Sequence, residues 1–308
     1  MIAQILEMVL PVLLMLLIGC YCNKKQIFTM DGLQGLKSIV SDICLPVVLF
    51  NAFFMAEYSL RLVLVFAVVY TGYILALLGG YATRKLCSPY GRLSPLLMTA
   101  CEGGMLGYAL YGVLVGNQSE FATVDIGNTF FAYTIYLAAM KASSGEKLTP
   151  KFMITNMLTN KCCVGMLLGI VLGAAGVGEL VRNSSIGGTI SSVISMITAP
   201  TSAIVLITVG YELNLEKNLL KPVMKSTLIR LVLQAGVCVL AALAIFALVP
   251  FDKNLLIALM ILFALPAPFI IPMFADVKED GKYISTALSV YTLLTVALYA
   301  LISIYALM

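Results

Sequence analysis

The residue whose type and setting most strongly indicate chemistry is Glu102. It lies about midway through an apolar stretch, residues 93–115, and is followed directly by Gly103 and Gly104. A charged side chain at the centre of a bilayer costs about 2.5–3.5 kcal/mol, and such residues usually serve substrate pathways, ion pathways or proton relays. We therefore predict that Glu102 takes part in substrate binding and in proton or ion coupling. The alternative is a structural carboxylate that accepts hydrogen bonds from backbone donors at a helix break.

Other polar residues inside apolar stretches are weaker candidates. Asp42 is a second candidate for proton or ion coupling, and Asp125 and Asn128 would share one helix face at their spacing of three residues. Each could line a cavity or lie at a membrane interface. Arg230 would suit an anion carrier if it faces inward, but its long stem would also let it reach an interface. The further predicted substrate contacts, which are all neutral, are Asn51, Asn128 and Tyr133.

Two of the apolar stretches carry residues that interrupt helices. Proline removes a backbone donor and glycine lets the chain unwind, so each interruption frees backbone groups that lipid cannot satisfy. Two broken helices that cross near the midplane would direct half-helix ends, and hence partial charges, at a common site. We therefore predict substrate contacts at the interrupting residues, which are Gly103, Gly104 and Gly107 in one stretch and Pro266 and Pro268 in the other.

The composition explains what must hold these residues. Apolar residues make up 61% of the 308 residues, charged residues make up 11%, and the mean hydropathy is +1.03. A soluble domain has about 25% charged residues, so the bilayer is the expected solvent. The chain has no histidine and none of the nucleotide-binding, hydrolase or metalloprotease motifs. We predict neither an enzyme, nor a cofactor or metal, nor a nucleic-acid partner.

The arrangement of apolar stretches and charges predicts a topology. Ten stretches are long enough to span a bilayer, which takes about 20 residues each. Fifteen of the 19 lysines and arginines flank alternate connections, whereas Arg61, Arg182 and Lys253 flank the others. This bias predicts that both termini face away from the cytoplasm. We expect a first five-helix repeat at 1–140, a cytoplasmic linker at 141–152 and a second, inverted repeat at 153–308, with helices 4 and 9 broken.

Several motifs, in order along the chain, resemble one family. They are VLPVLL at 9–14, LPVVLF at 45–50, VGYEL at 209–213, ALP at 264–266 and FAD at 274–276. Together they resemble the auxin efflux carrier family, whose bacterial members include malonate and other organic-acid permeases. Where the fourth helix of the family usually has an amide and a proline, this chain has Glu102 and Ala109.

The resemblance implies an all-α membrane protein of ten helices in two inverted repeats, similar to bile-acid symporters. It also implies residence in the plasma membrane (the inner membrane of a bacterium), an organic-anion substrate bound near the crossing breaks, elevator-like motion and, as in related folds, a possible homodimer. Because an ionised Glu102 would repel an anion, a transporter of a cation or amine, or a cation/proton exchanger, is the alternative. A membrane sensor that binds ligand without moving it is the alternative from another class.

Overall fold

The computed structural model describes residues 2–56, 58–143, 154–155, 158–269, 271 and 281–308. All regular secondary structure within these residues is helical. Most of the predicted linker, as well as Pro272 and the FAD motif, lies outside the described residues. The helices in chain order are α1 (Ile2–Lys25), α2 (Met30–Phe54), α3 (Leu60–Cys87), α4 (Ser94–Met98), α5 (103–115), α6 (119–143), α7 (Lys161–Ala174), α8 (Val177–Arg182), α9 (Gly187–Glu212), α10 (Lys217–Phe246), α11 (Lys253–Ala264) and α12 (Gly281–Leu307).

Several helix ends follow from residues that satisfy free backbone groups. Thr29 and Asn160 accept hydrogen bonds from backbone N–H groups in the first turns of α2 and α7, and Asp252 does the same for α11. Gly116 ends α5 in the left-handed conformation, at φ 80°, which glycine adopts without strain. Each cap supplies a partner that the helix itself cannot provide.

Five of these helices are long and apolar enough to cross a membrane, as judged from the described residues. They are α2, α3, α9, α10 and α12. Helix α1 has 24 residues, whereas α7 and α11 are shorter apolar helices. The predicted sixth span, 153–176, is not one continuous helix, because Asn160 is extended, at ψ 118°, and caps the start of α7. At the end of the span, Gly176 adopts φ 77° and separates α7 from α8.

The interruption of the predicted fourth span lies earlier than the glycines. The non-helical residues are 99–102, after α4 ends at Met98. Gly103 to Gly107 form a π-helical turn that opens α5. In the predicted ninth span, α11 ends at Ala264 and Leu265 is extended, with ψ 154°. Both interruptions therefore divide an apolar segment into a first helix and a following non-helical stretch.

Glycines bring two pairs of helices into backbone contact. A Cβ on Gly19 of α1 would collide with the backbone of α9, and one on Gly210 would collide with Leu16 of α1. In the same way, Gly165 and Gly169 of α7 lie against the backbone of α2. Small residues allow this close approach in helix pairs without a hydrophobic driving force. Helices α3, α6, α10, α11 and α12 pack around the two interruptions.

Candidate functional site

The two helix interruptions are joined by direct hydrogen bonds. The backbone N–H of Glu102 donates to the carbonyl of Pro266 at 2.9 Å, and the backbone N–H of Phe269 donates to Oε2 of Glu102 at 2.7 Å. We call residues 99–107 and 265–269 together the crossover. The predicted candidates Glu102 and Pro266 are thus brought together, and the partners of the Glu102 carboxylate include a backbone donor.

Glycine is required at two points of the crossover by the closeness of neighbouring groups. A Cβ on Gly103 would collide with the carboxylate of Asp125. A Cβ on Gly107 would collide with Phe121 and lie 2.8 Å from a methyl carbon of Leu265. At Gly104 the surroundings are different, since a Cβ there would meet no heavy atom within 4 Å. Open space therefore adjoins the crossover on the side of Gly104.

Asn128 holds the first interruption from α6. Its amide oxygen accepts from the backbone N–H of Cys101 at 3.3 Å, and its amide nitrogen donates to the Cys101 carbonyl at 3.1 Å. The same nitrogen donates to Asp125 at 2.9 Å, and the hydroxyl of Thr129 donates to the other carboxylate oxygen at 3.2 Å. Asp125 and Asn128 are fully buried, at 1% and 3% exposure. They lie at the crossover, inside the protein.

Arg230 and Gln234 of α10 satisfy the carbonyl groups at the end of α4. The Arg230 guanidinium donates to the carbonyl of Leu97 at 2.5 Å and to that of Ala100 at 3.2 Å. Nε2 of Gln234 donates to the carbonyls of Met98 at 2.7 Å and Thr99 at 2.5 Å. Arg230 is 4% exposed, so its guanidinium lies inside the protein and does not extend to the protein surface.

Arg230 also contacts the second interruption. It donates to the carbonyl of Leu265 at 2.9 Å, and its guanidinium lies 5.3 Å from the ring centroid of Tyr291. Sequence reasoning named Arg230 without its partners and missed Gln234 altogether. The available signal was the spacing of four residues, which places both side chains on one face of α10.

Of the other sequence candidates, Pro268 lies in the crossover, whereas Asp42, Asn51 and Tyr133 lie outside it. Asp42 is largely exposed and its Oδ2 is 2.9 Å from Nζ of Lys161. Asn51 is half-buried in α2, and Tyr133 is half-buried in the π-helical turn of α6. Pro268 is buried, and its carbonyl accepts from the N–H of Ile271 at 3.2 Å. Among the described residues, no hydrogen bond links Asp42, Asn51 or Tyr133 to the crossover.

A cavity of about 670 Å³ reaches the crossover. It lies between the C-terminal ends of α1 and α9 and the N-terminal part of α12, and Phe269 forms part of its wall. Its polar lining includes Asn23, Asn214, Ser289 and Thr292. A second cavity, of about 740 Å³, lies at the start of α3 and α11, and no residue of the crossover lines it. The first cavity could therefore admit a solute to the crossover at Phe269.

Comparison with known proteins identifies the family of the chain. The search of curated proteins gave no match. A family model described as membrane transport protein matches residues 4–303, nearly the whole chain. This family consists of transporters and not of enzymes, which agrees with the apolar helices and the polar cavity. The chain therefore belongs to the membrane transport protein family, also called the auxin efflux carrier family.

Proposed function

We propose that this membrane transporter carries a small organic anion by secondary or facilitated transport, with the substrate carboxylate bound at the crossover. The observation that carries the proposal is the direct contact of two helix interruptions beside a polar cavity. Irregular backbone at membrane depth is tolerated where protein or a water-filled cavity satisfies it, and such sites bind substrates in many transporters. In this proposal, the cavity of about 670 Å³ that Phe269 lines is the route between solvent and this backbone.

Ten spans in two inverted repeats are the proposed architecture. In this arrangement the first and second spans correspond to the sixth and seventh. The packing supports the assignment, because α1 pairs with α9 through Gly19 and Gly210, while α7 pairs with α2 through Gly165 and Gly169. When the two halves are exchanged, the pair formed by the first and seventh spans becomes the pair formed by the sixth and second spans. They would form the static part past which the crossover moves in an elevator mechanism.

The proposed orientation makes the cavity an inward-facing one. The cavity wall contains Lys24 at the end of α1, and Lys37 forms an ion pair with Glu212 of the same wall. Lysines concentrate on the cytoplasmic side of membrane proteins. With both termini outside, the described conformation would therefore be open to the cytoplasm and closed on the other side.

An anionic substrate is favoured by the charge of Arg230. All its hydrogen-bond acceptors in the described part of the chain are backbone carbonyls or the sulfur of Cys101. No carboxylate of that part forms an ion pair with it. Helix α5 also begins at the crossover, and helix N-termini favour negative charge. The positive potential would act on a substrate that approaches Gly104.

Glu102 gives this proposal a proton-linked form. Its carboxylate accepts a hydrogen bond from the N–H of Phe269, and a substrate carboxylate could accept from the same donor. Protonation of Glu102 would remove the like charge and weaken this bond, so substrate and proton would bind together. The same carboxylate favours the second candidate function, transport of a cation or amine, because an ionised Glu102 beside the cavity would attract positive charge.

Ligand-induced thermal stabilisation separates the two candidates. Purified protein would be heated with mono- and dicarboxylates, amines or sodium at acid and neutral pH, alongside Glu102→Gln. A ligand that binds only the native state stabilises it by RT ln(1 + [L]/Kd), which is about 2.7 kcal/mol at a hundredfold excess over Kd. Stabilisation by carboxylates, greater at acid pH and made independent of pH by Glu102→Gln, is expected. Stabilisation by amines or sodium that Glu102→Gln abolishes would contradict the anion proposal.

A further inference from the structure

Four consecutive carbonyl groups, those of the last two residues of α4 and of the two residues that follow, are satisfied by two side chains of one helix. Arg230 donates hydrogen bonds to the carbonyls of Leu97 and Ala100, and Gln234 donates to the two carbonyls between them. The last four carbonyls of a helix have no partner within the helix, and burial without one is costly. The set formed by Arg230, Gln234 and these carbonyls is called the carbonyl clamp below.

The carbonyl clamp also includes the end of α11. Arg230 donates to Leu265, and the hydroxyl of Thr295 in α12 donates to the Ala264 carbonyl at 2.6 Å. Each helix C-terminus carries about half a negative elementary charge. The carbonyls at the two ends therefore offset part of the charge of Arg230 without a carboxylate, and the rest is the positive potential that the proposed anion would meet.

Arg230 itself is fixed from α12. The ring of Tyr291 lies under its guanidinium, and the hydroxyl of Tyr291 forms a hydrogen bond of 3.2 Å with Ser226, one turn before Arg230 on α10. A guanidinium has five donors in a rigid plane, whereas an ammonium is a compact point charge. Lysine could keep the charge at this position, but its single nitrogen could not reproduce the contacts that the two terminal guanidinium nitrogens make with two separate segments.

We propose that Arg230 and Gln234 are positioning residues that fix both helix interruptions to α10, so that the crossover and α10 move as one body. The fixing follows from the contacts alone. Its consequence for transport rests on the proposed function, since a loose crossover would lose the geometry that binds the substrate. Neither residue needs to touch the substrate for this role.

The test uses Cys101 of the full-length protein as a local reporter. Its sulfur accepts from Arg230 at 3.4 Å and it is 3% exposed. Protein in lipid nanodiscs would be treated with N-ethylmaleimide without substrate, and the alkylation of each cysteine followed by peptide mass spectrometry. Cys163 of α7, at 1% exposure, is the internal control. The variants are Arg230→Lys and Gln234→Met, with Arg182→Lys and Gln34→Met as matched controls at exposed positions.

Opening of the carbonyl clamp should expose Cys101 selectively. We expect alkylation of Cys101 to become about tenfold faster or more in Arg230→Lys, the size of effect that one lost charged hydrogen bond produces. Gln234→Met should give a smaller increase, while Cys163 stays protected in both. Protection of Cys101 in both variants would overturn the proposal. If Arg230→Lys exposes every cysteine, the result for Gln234→Met decides between the outcomes. An equal increase in the alkylation rate of all cysteines in Gln234→Met would also overturn the proposal. Because no substrate is present, failure of the transport proposal leaves this result intact.

Discussion

The backbone N–H of Glu102 donates to the carbonyl of Pro266 across 164 positions of sequence, and this bond fixes how closely the two helix interruptions approach. Proline is suited to the acceptor side, because it lacks an N–H and its carbonyl is free of helical pairing after α11 ends. The donor residue, Glu102, also accepts a hydrogen bond from the N–H of Phe269 through its carboxylate. Two bonds therefore couple the position of the proposed proton site to the geometry of both interruptions.

Replacement of Gly103 should disturb this geometry, whereas replacement of Gly104 should not. The new Cβ in Gly103→Ala would collide with Asp125, which is fully buried, while Gly104→Ala would enter open space. Overpacking of a buried site costs about 1–3 kcal/mol. We expect Gly103→Ala to lower the melting temperature and abolish uptake into proteoliposomes.

Gly104→Ala is the matched control for this prediction. It should melt like the wild type, and a change in its uptake would report on the proposed approach of the substrate and not on packing. Equal stability and equal uptake of the two variants would show that Asp125 does not confine the crossover at Gly103.

The two acids predicted for coupling should behave differently in transport. Glu102 lies at the crossover, whereas Asp42 pairs with Lys161 at 2.9 Å and is largely exposed. Solvent screens an exposed ion pair of this kind, so Asp42→Asn should leave the pH profile of uptake unchanged. Glu102→Gln should remove the acceleration of carboxylate uptake at acid pH. Initial rates between about pH 5 and 8, the range over which stability is usually highest, provide the measurement.

An unchanged pH profile in Glu102→Gln together with a flattened one in Asp42→Asn would reverse the assignment. The two variants would need equal amounts of protein in the liposomes, since a loss of folded protein lowers all rates without changing the profile.

Sequence reasoning could find Glu102 and the prolines because each is unusual inside an apolar segment. It missed Gln234, whose signal was its spacing of four residues from Arg230, because nothing in the sequence shows that this face of a 30-residue apolar helix meets the free carbonyls of α4. It also placed the interruption of the fourth span at the glycines. The helix ends earlier because its carbonyls find partners on α10 and because Tyr136 of α6 donates to Leu96 at 2.9 Å. Such partners are distant in sequence and become visible only in the folded chain.

The contact between α2 and α7 should depend on glycine at one position of α7. A Cβ on Gly169 would collide with the backbone of Phe50, whereas one on Gly236 of α10 would meet no heavy atom within 4 Å. Gly169→Ala should therefore lower the free energy of unfolding by about 1–3 kcal/mol through overpacking. Gly236→Ala should leave it unchanged or raise it by about 0.5–1 kcal/mol, because alanine is the better helix former.

Thermal unfolding in one detergent checks this pair. A greater loss in Gly236→Ala than in Gly169→Ala would contradict the close packing of α2 and α7. Uptake by Gly169→Ala is also informative, since a weakened static part should reduce transport together with stability.

A pH-dependent contribution to stability is expected at the start of α11. Burial raises the pKa of Asp252, but hydrogen bonds from Arg61 and from the N–H groups of Leu255 and Asn254 outweigh it and leave the pKa below the ordinary 3.8. The bond from Arg61 measures 2.7 Å. Because the pKa is lower in the folded state, the stabilisation is present above pH 3.8 and is lost as the pH falls through the folded value.

Asp252→Asn isolates this charge, because asparagine also caps a helix well. The melting temperature of the variant should lie below that of the wild type near neutral pH, and the difference should shrink as the pH falls below 3.8, the ordinary pKa of the carboxyl. In an Arg61→Gln background the difference should be smaller at every pH, since one of the stabilising donors is gone. A difference that instead grows toward acid pH would mean that Asp252 has a raised pKa in the folded protein and that burial outweighs its hydrogen bonds.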